Sequence, residues 1–248
     1  MTGAMRVAGL TRHPIKGIGS EALDRITLNA EKPMPGDRVW AVSHDQHPGR
    51  DGWRPRRDFL VVASGPSLAA VTAKSDGGRI TLTHPDRPDA QFDLPDDEAA
   101  LLEWVTPLWP KDRPSPQKLH RAPFSTGMPD NGIASLSILT QSSLDALSAK
   151  VGQTLDARRF RGNVLLNGTE PWAEFEWIGK RIQIGDAVLD VIEPIERCRA
   201  TEANPETGER DANTLGALRD GFGHQDFGVY ARVVQSGEVA VGDPAVIQ

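Results

Sequence analysis

Short apolar runs, most of them alternating with polar residues, recur along the chain and are separated by Gly, Pro, Asn and Asp. That period-two pattern predicts β-strands joined by turns. In the first part of the chain the pattern marks residues 5–12, 22–28, 38–43, 58–63, 79–83 and 91–94. Further strands are expected at 118–121, 135–140, 163–167, 181–192, 227–234 and 239–247. Many short strands at this spacing favour sheets curled into barrels.

Helical signals are few. Residues 94–105 carry Asp96 and Asp97 near their start and end before Pro107, as a helix would. Ser142-Ser143-Leu144-Asp145 has the form of a capping box for a helix reaching about Lys150, before Gly152. A third helix is expected over 213–218, capped by Asn213 and stopped near Gly221. Pro107, Pro110, Pro114 and Pro116 interrupt the segment 106–116, which suits neither a strand nor a helix interior. The predicted fold is therefore mainly β, with a few short helices, a smaller N-terminal β domain over 1–110 and a C-terminal β domain over 117–248.

Composition narrows the function classes. The 248 residues carry a net charge of -6, which argues against general nucleic-acid or anionic-membrane binding. Residues 1–10 include Arg6 and lack an apolar core of about 7–15 residues, so neither a signal peptide nor a membrane anchor is expected. No stretch approaches the roughly 20 apolar residues of a spanning helix. A single cysteine makes no internal disulfide, and a cytoplasmic location is the expectation. One cysteine also cannot supply the four thiolates of an ordinary iron–sulfur cluster, so electrons for any redox reaction must come from outside the chain.

That cysteine, Cys198, lies in Glu196-Arg197-Cys198-Arg199, after an apolar run and before a turn-rich loop. A free cysteine is usually a small buried hydrophobe, but a place between two arginines is unusual for a core residue. Cations near a thiol favour its thiolate, the form that binds metals and attacks electrophiles. On a regular strand Arg197 and Arg199 would point away from Cys198, so that effect requires a strand end or loop. Zinc wants four protein ligands in a structural site, and His44 with His47 alone does not complete one. No phosphate-binding GxxxxGK[ST] loop, dinucleotide fingerprint or GxSxG elbow is present. Lys16, Arg38, Arg158, Arg159 and Arg161 recur near expected strand ends, where they can line an anion pocket. Arg50, Arg54, Arg56 and Arg57 form a second basic cluster beside Trp53, a weak signal for an RNA-binding face.

Five further motifs join the cysteine motif. They are His13-Pro14-Ile15-Lys16-Gly17, Gly36-Asp37-Arg38-Val39-Trp40, Arg159-Phe160-Arg161-Gly162-Asn163, Ile184-Gly185-Asp186 and Asn204-Pro205-Glu206-Thr207-Gly208. Phe227-Gly228 and Val241-Gly242-Asp243-Pro244 close the series. In this order and spacing the chain resembles, over nearly its whole length, the MOSC superfamily with its N-terminal β-barrel partner. Within it, the amidoxime-reducing component and bacterial hydroxylaminopurine reductases are most similar.

The resemblance implies a β-barrel MOSC fold, preceded by a smaller barrel-like domain, that binds a molybdenum cofactor (molybdopterin). Cys198 would be the protein ligand to the metal, a soft sulfur donor beside the pterin's two sulfurs. Lys16, Arg38 and Arg161 would hold the cofactor's phosphate and pterin, with Thr140, Asn163 and Arg197 beside them. Thr201 and Asn204 would border the substrate opening, and Asp211 would carry protons. The implied reaction is reduction of N-hydroxylated or N-oxide compounds by oxygen transfer, fed by an external ferredoxin- or flavin reductase-type donor. A cofactor carrier or sulfur-relay protein is the alternative, and an interaction module without cofactor a third. Three departures stand out. Gly17 replaces a usual serine, Gly162 replaces a common proline and should loosen its turn, and residues 53–57 lack the family's threonine-containing motif.

Overall fold

Period-two burial shows directly in the strand Arg181–Ile184, where Ile182 and Ile184 are buried while Arg181 and Gln183 face solvent. The computed structural model describes residues 4–44, 54–76, 78–123 and 127–248. Within them the protein is mainly β. An eight-stranded sheet runs in the spatial order Ala245–Ile247, Arg181–Ile184, Ala187–Glu196, Asp226–Gln235, Leu136–Thr140, Val164–Asn167, Arg6–Arg12, Glu21–Leu23. Leu136–Thr140 and Val164–Asn167 pair in parallel and the remaining neighbours antiparallel. Its core gathers Val7, Leu10, Ile138, Leu166, Leu189 and Val229 from distant parts of the sequence. The N-terminal strands thus share a sheet with residues beyond 135.

Two smaller sheets complete the N-terminal half. Ile15–Lys16 pairs in parallel with Trp40–His44, which pairs antiparallel with Pro116–Arg121. Thr72–Asp76, Arg79–His84 and Arg87–Asp93 form a meander. Arg25–Leu28 pairs with Gly237–Ala240.

Several expected elements shift. The strand expected over 58–63 is instead a 3-10 turn, Arg56–Asp58, followed by irregular chain that touches the small sheet through an isolated bridge, Ser43 with Phe59, and a bond from Leu60 N to Val42 O of 2.9 Å. Thr72–Asp76 was not expected, because its side chains alternate only between exposed and half-buried. The run 181–192 is a hairpin that turns at Gly185-Asp186. Helices lie at Glu98–Val105, Gln141–Val151 and Thr214–Phe222. The last is capped by Asn213, whose side chain accepts Gly216 N, and closes at Gly223 rather than Gly221.

The capping box expected at Ser142 does not form. Thr140 is the N-cap, without a side-chain cap bond, because both nearby hydroxyls are drawn elsewhere. Thr140 Oγ1 and Ser143 Oγ each donate to Glu174 Oε2 at 2.9 Å. Glu174 is fully buried, and its Oε1 has no hydrogen-bond partner among the described residues. Burial raises its pKa above the usual 4.5, against hydrogen bonds from its own backbone, Ser143, Thr140 and Gly228.

The sign follows from that shift. A carboxyl whose folded pKa is raised gives stability that is complete below pH 4.5 and is lost as pH rises through the raised value. Glu174→Gln should therefore flatten the decline of the urea midpoint from pH 4.5 to neutrality. Equal slopes in wild type and variant would show that Glu174 is not the titrating group.

Candidate functional site

The sheet delivers Cys198 by coming apart at the right place. The long strand Ala187–Glu196 pairs with Asp226–Gln235 through irregular register, including a shift between Pro194 and Glu196. Proline is tolerated at such irregular positions because it has no N–H to give the ladder. The chain leaves the sheet at Arg197, and Cys198 opens the 3-10 turn Arg199–Glu202. Its carbonyl accepts Thr201 N and Thr201 Oγ1, both at 3.1 Å. The thiol is half-exposed, at the strand end that the cation argument required.

The flanking arginines do not both serve it. Arg197 is buried, with Nε donating to Phe227 O and Nη1 to Phe160 O, both at 2.8 Å. Its guanidinium also faces the rings of Phe160 and Phe227 at 5.6 and 5.9 Å. Arg199 is exposed and pairs with Glu202 at 3.0 Å. The arginine that adds its charge beside Cys198 is Arg56, from the other half of the chain. Burial opposes the charge on Arg56, but Cys198 and Asp130 outweigh it and its pKa is raised.

A cavity of about 200 Å³ opens beside the thiol. Six cations line it (Lys16, Arg38, Arg56, Arg159, Arg161 and Arg197) against two carboxylates, Asp130 and Glu196. Lys16 comes from the small sheet and donates to Met128 O at 2.8 Å and to Asp130. Burial lowers the Lys16 pKa despite Asp130, while Asp130, although burial opposes its charge, is held below the usual carboxylate range by Lys16, Arg56 and Arg38.

Arg38 and Arg161 sit in left-handed backbone, at φ 49° and 48°, a conformation uncommon outside glycine. Arg38 Nη2 donates to Arg161 O at 3.0 Å, and Arg38 also pairs with Asp37. Burial opposes the charge of Arg38, but Asp37 and Asp130 raise its pKa. Arg161 fares differently: burial, then the charge of Arg38, lower it to about 9. Its Nη2 has a carbonyl partner, Gly19 O at 3.3 Å, and among the described residues no carboxylate pairs with it. Arg159 is ion-paired to Asp211 at 2.7 Å, but its buried Nε has no partner among the described residues. A cavity with surplus buried guanidinium charge is built for an anion.

Asn163 holds the wall together. Its Nδ2 donates to Asp37 Oδ1 at 3.1 Å and Thr11 O at 3.2 Å, and its Oδ1 accepts Ser137 N at 3.0 Å. Thr201 lines the cavity, whereas Thr140, Asn204 and Asp211 do not. Thr140 belongs to the Glu174 network, and Asn204 Nδ2 donates to Asp211 Oδ2 at 2.7 Å behind Arg159. Asp130, Tyr230 and Arg56 are lining residues missing from the expected site, whereas Arg159 lines it as one of the cations expected near strand ends, and Arg158 does not. Tyr230 is the chain's one tyrosine, and burial raises its pKa.

Two departures gain physical reasons. Gly17 has φ +74°, and a Cβ there would lie 2.3 Å from Leu60 O and 2.9 Å from Val61 Cα. A serine would collide with backbone, so glycine is required where residues 60–61 press on the cavity wall. The turn at Gly162 is pinned rather than loosened. Leu139 fills the space its Cβ would take, Arg161 N donates to Arg158 O at 3.1 Å, and Asn163 N donates to Ser137 O at 2.9 Å.

Arg54 is buried against Asp58 and the Phe59 ring, so the second basic cluster is not one exposed face. Arg50 and Trp53 lie outside the described residues. His44 contacts Arg57 O at 2.9 Å, and His47 also lies outside them. Among the described residues, no three His, Cys, Asp or Glu converge on a metal position, and no helix is long and apolar enough to cross a membrane.

Residues 126–246 match the family model of the MOSC domain, and residues 4–111 that of the MOSC N-terminal beta barrel domain. The chain belongs to the MOSC family. This MOSC protein is 23% identical to mitochondrial amidoxime-reducing component 1 of Danio rerio, over 96% of this chain and 83% of the relative. It is 37% identical to the molybdenum cofactor sulfurase of Caenorhabditis elegans over 76 residues, 30% of this chain and 10% of that one. Among solved structures, the YUAD protein from Bacillus subtilis aligns over 99% of this chain and 96% of its own, with TM-score 0.48 and 12% identity.

Proposed function

We propose that the cavity holds a molybdenum cofactor, with Cys198 as the protein ligand to the metal, and that the MOSC protein uses it to reduce N-hydroxylated or N-oxide compounds. One observation carries the proposal: a half-exposed thiol on the wall of a cavity where six cations face two carboxylates. The donor set suits the group. A soft thiolate matches a sulfur-bound metal, and the guanidinium surplus matches a phosphate-bearing pterin.

In this reading Lys16, Arg38 and Arg161 bind the anionic end. Arg197 and Asn163 stiffen the walls, Cys198 would hold the metal, and Thr201 would border the substrate opening, with Asn204 behind the cavity lining. When bound, the cofactor supplies two-electron cleavage of the N–O bond. An N-hydroxyl compound, two electrons and two protons give the reduced nitrogen compound and water. Electrons come from an external ferredoxin- or flavin reductase-type protein. Asp211, one-third exposed and held by Arg159 and Asn204 outside the cavity lining, would carry protons from solvent in this reading.

The similarity to molybdenum cofactor sulfurases favours a second reading, a cofactor carrier or sulfur-relay protein. Cofactor-loaded protein, given a chemical reductant and benzamidoxime, separates the two. Reductant-dependent benzamidine formation is expected, and loaded protein that makes none is a carrier.

A further inference from the structure

A second basin adjoins the first. It measures about 330 Å³ and shares Arg56, Val61 and Ala63 with the cavity at Cys198. Its other walls include Arg57, Arg113, Phe59, Trp109 and Ser64, and among the described residues none that lines it is a carboxylate. The acidic groups behind it are engaged. Asp58 binds Arg54 at 3.2 Å and reaches Arg57 only at 3.9 Å. Glu202 is held between Arg199 at 3.0 Å and Arg210 at 3.4 Å.

Arg210 ties the rim together. Its Nη2 donates to Ala63 O at 2.8 Å, and its Nη1 to Arg199 O at 2.5 Å. Burial lowers the Arg210 pKa, and the nearby charges of Arg199 and Arg113 lower it further. Arginines are thus crowded around a hollow in a protein whose net charge is -6. Arg57 is 80% exposed, and neither it nor Arg113 is part of the cofactor cavity.

We infer that this basin is an anion subsite for the substrate, so that the substrate class is N-hydroxylated compounds bearing a phosphate ester or carboxylate. The inference rests on the proposed reductase reading. The N–O group would lie at Cys198, the molecule would pass Arg56 along Val61 and Ala63, and the acidic group would meet Arg57 and Arg113. Phe59 and Trp109 give its body apolar walls. Guanidinium forks suit the planar or tetrahedral oxygens of such groups.

Calorimetric titration of cofactor-loaded protein with phenyl phosphate, benzoate and benzyl alcohol tests this without turnover. Molybdenum content and reductant-dependent benzamidoxime reduction are measured on the same preparations, so failure of the reductase reading registers separately. Expected is binding of one or both anions at least ten-fold tighter than benzyl alcohol, with that advantage lost in R57Q/R113Q at unchanged molybdenum content. Stronger binding of phenyl phosphate or of benzoate identifies the acidic group. The inference is overturned if all three probes bind alike, or if anion binding survives in the double variant.

Discussion

Arg197→Ala should lower stability by about 3–5 kcal/mol, as expected for a large buried side chain whose loss orphans two backbone carbonyls. The guanidinium is buried beside the stacked rings of Phe160 and Phe227, whose centroids are 4.0 Å apart, and it donates to the carbonyls of both residues. Burial lowers its pKa to about 10, with Arg38 adding to the effect, so it remains charged at neutral pH. Removing it leaves Phe160 O and Phe227 O facing a void. It also unpins the residue next to Cys198, so cofactor retention should fall along with stability. Arg197→Lys keeps the charge but cannot reach both carbonyls with a planar fork, and its loss should be smaller. Urea unfolding checks both variants. A loss below about 1 kcal/mol for the alanine variant would mean the two carbonyls find other partners.

This arginine also shows how far the sequence could be read. Its motif, Glu196-Arg197-Cys198-Arg199, marked the thiol, but the expected strand ended at 192, short of the observed end at Glu196, because Glu193-Pro194 interrupts the apolar alternation. Lys16, Arg38 and Arg161 stood out as cations near strand ends, and the cavity gathers all three with Cys198. The partner of the thiol was not legible. Arg56 sat in a basic cluster that gave only a weak signal for an RNA-binding face, and only packing of residues 56–63 against the small sheet brings it to the cavity at Cys198. Asp130 carried no signal either, since Pro129-Asp130-Asn131-Gly132 reads as an ordinary turn.

Local pattern found most strands but not their neighbours. Val7 and Leu10 announce a strand, yet nothing local says that it pairs with Val164–Asn167, more than 150 residues away. Thr72–Asp76 escaped because it lacks apolar alternation. Phe59, Leu60 and Val62 misled in the opposite direction. They are buried as a strand would bury them, but as irregular chain that forms the wall pressing on Gly17. Thr140 and Ser143 look like helix-capping residues and are instead held by a buried glutamate 31 or more positions away.

Cys198→Ala should have the largest effect on cofactor retention at the least cost to the fold. The thiol is half-exposed, and no residue of the main core clusters is a cysteine. Its removal takes little packing, so stability should change by about 1 kcal/mol or less. The variant keeps every cation of the cavity but loses the one thiol.

The decisive measurement is molybdenum and pterin per chain, by mass spectrometry, for wild type and Cys198→Ala co-expressed with the cofactor pathway. The account predicts near-stoichiometric molybdenum in wild type and at least a ten-fold loss in a variant that unfolds at the same urea concentration. Equal molybdenum in both folded proteins, whether high or negligible, would contradict it.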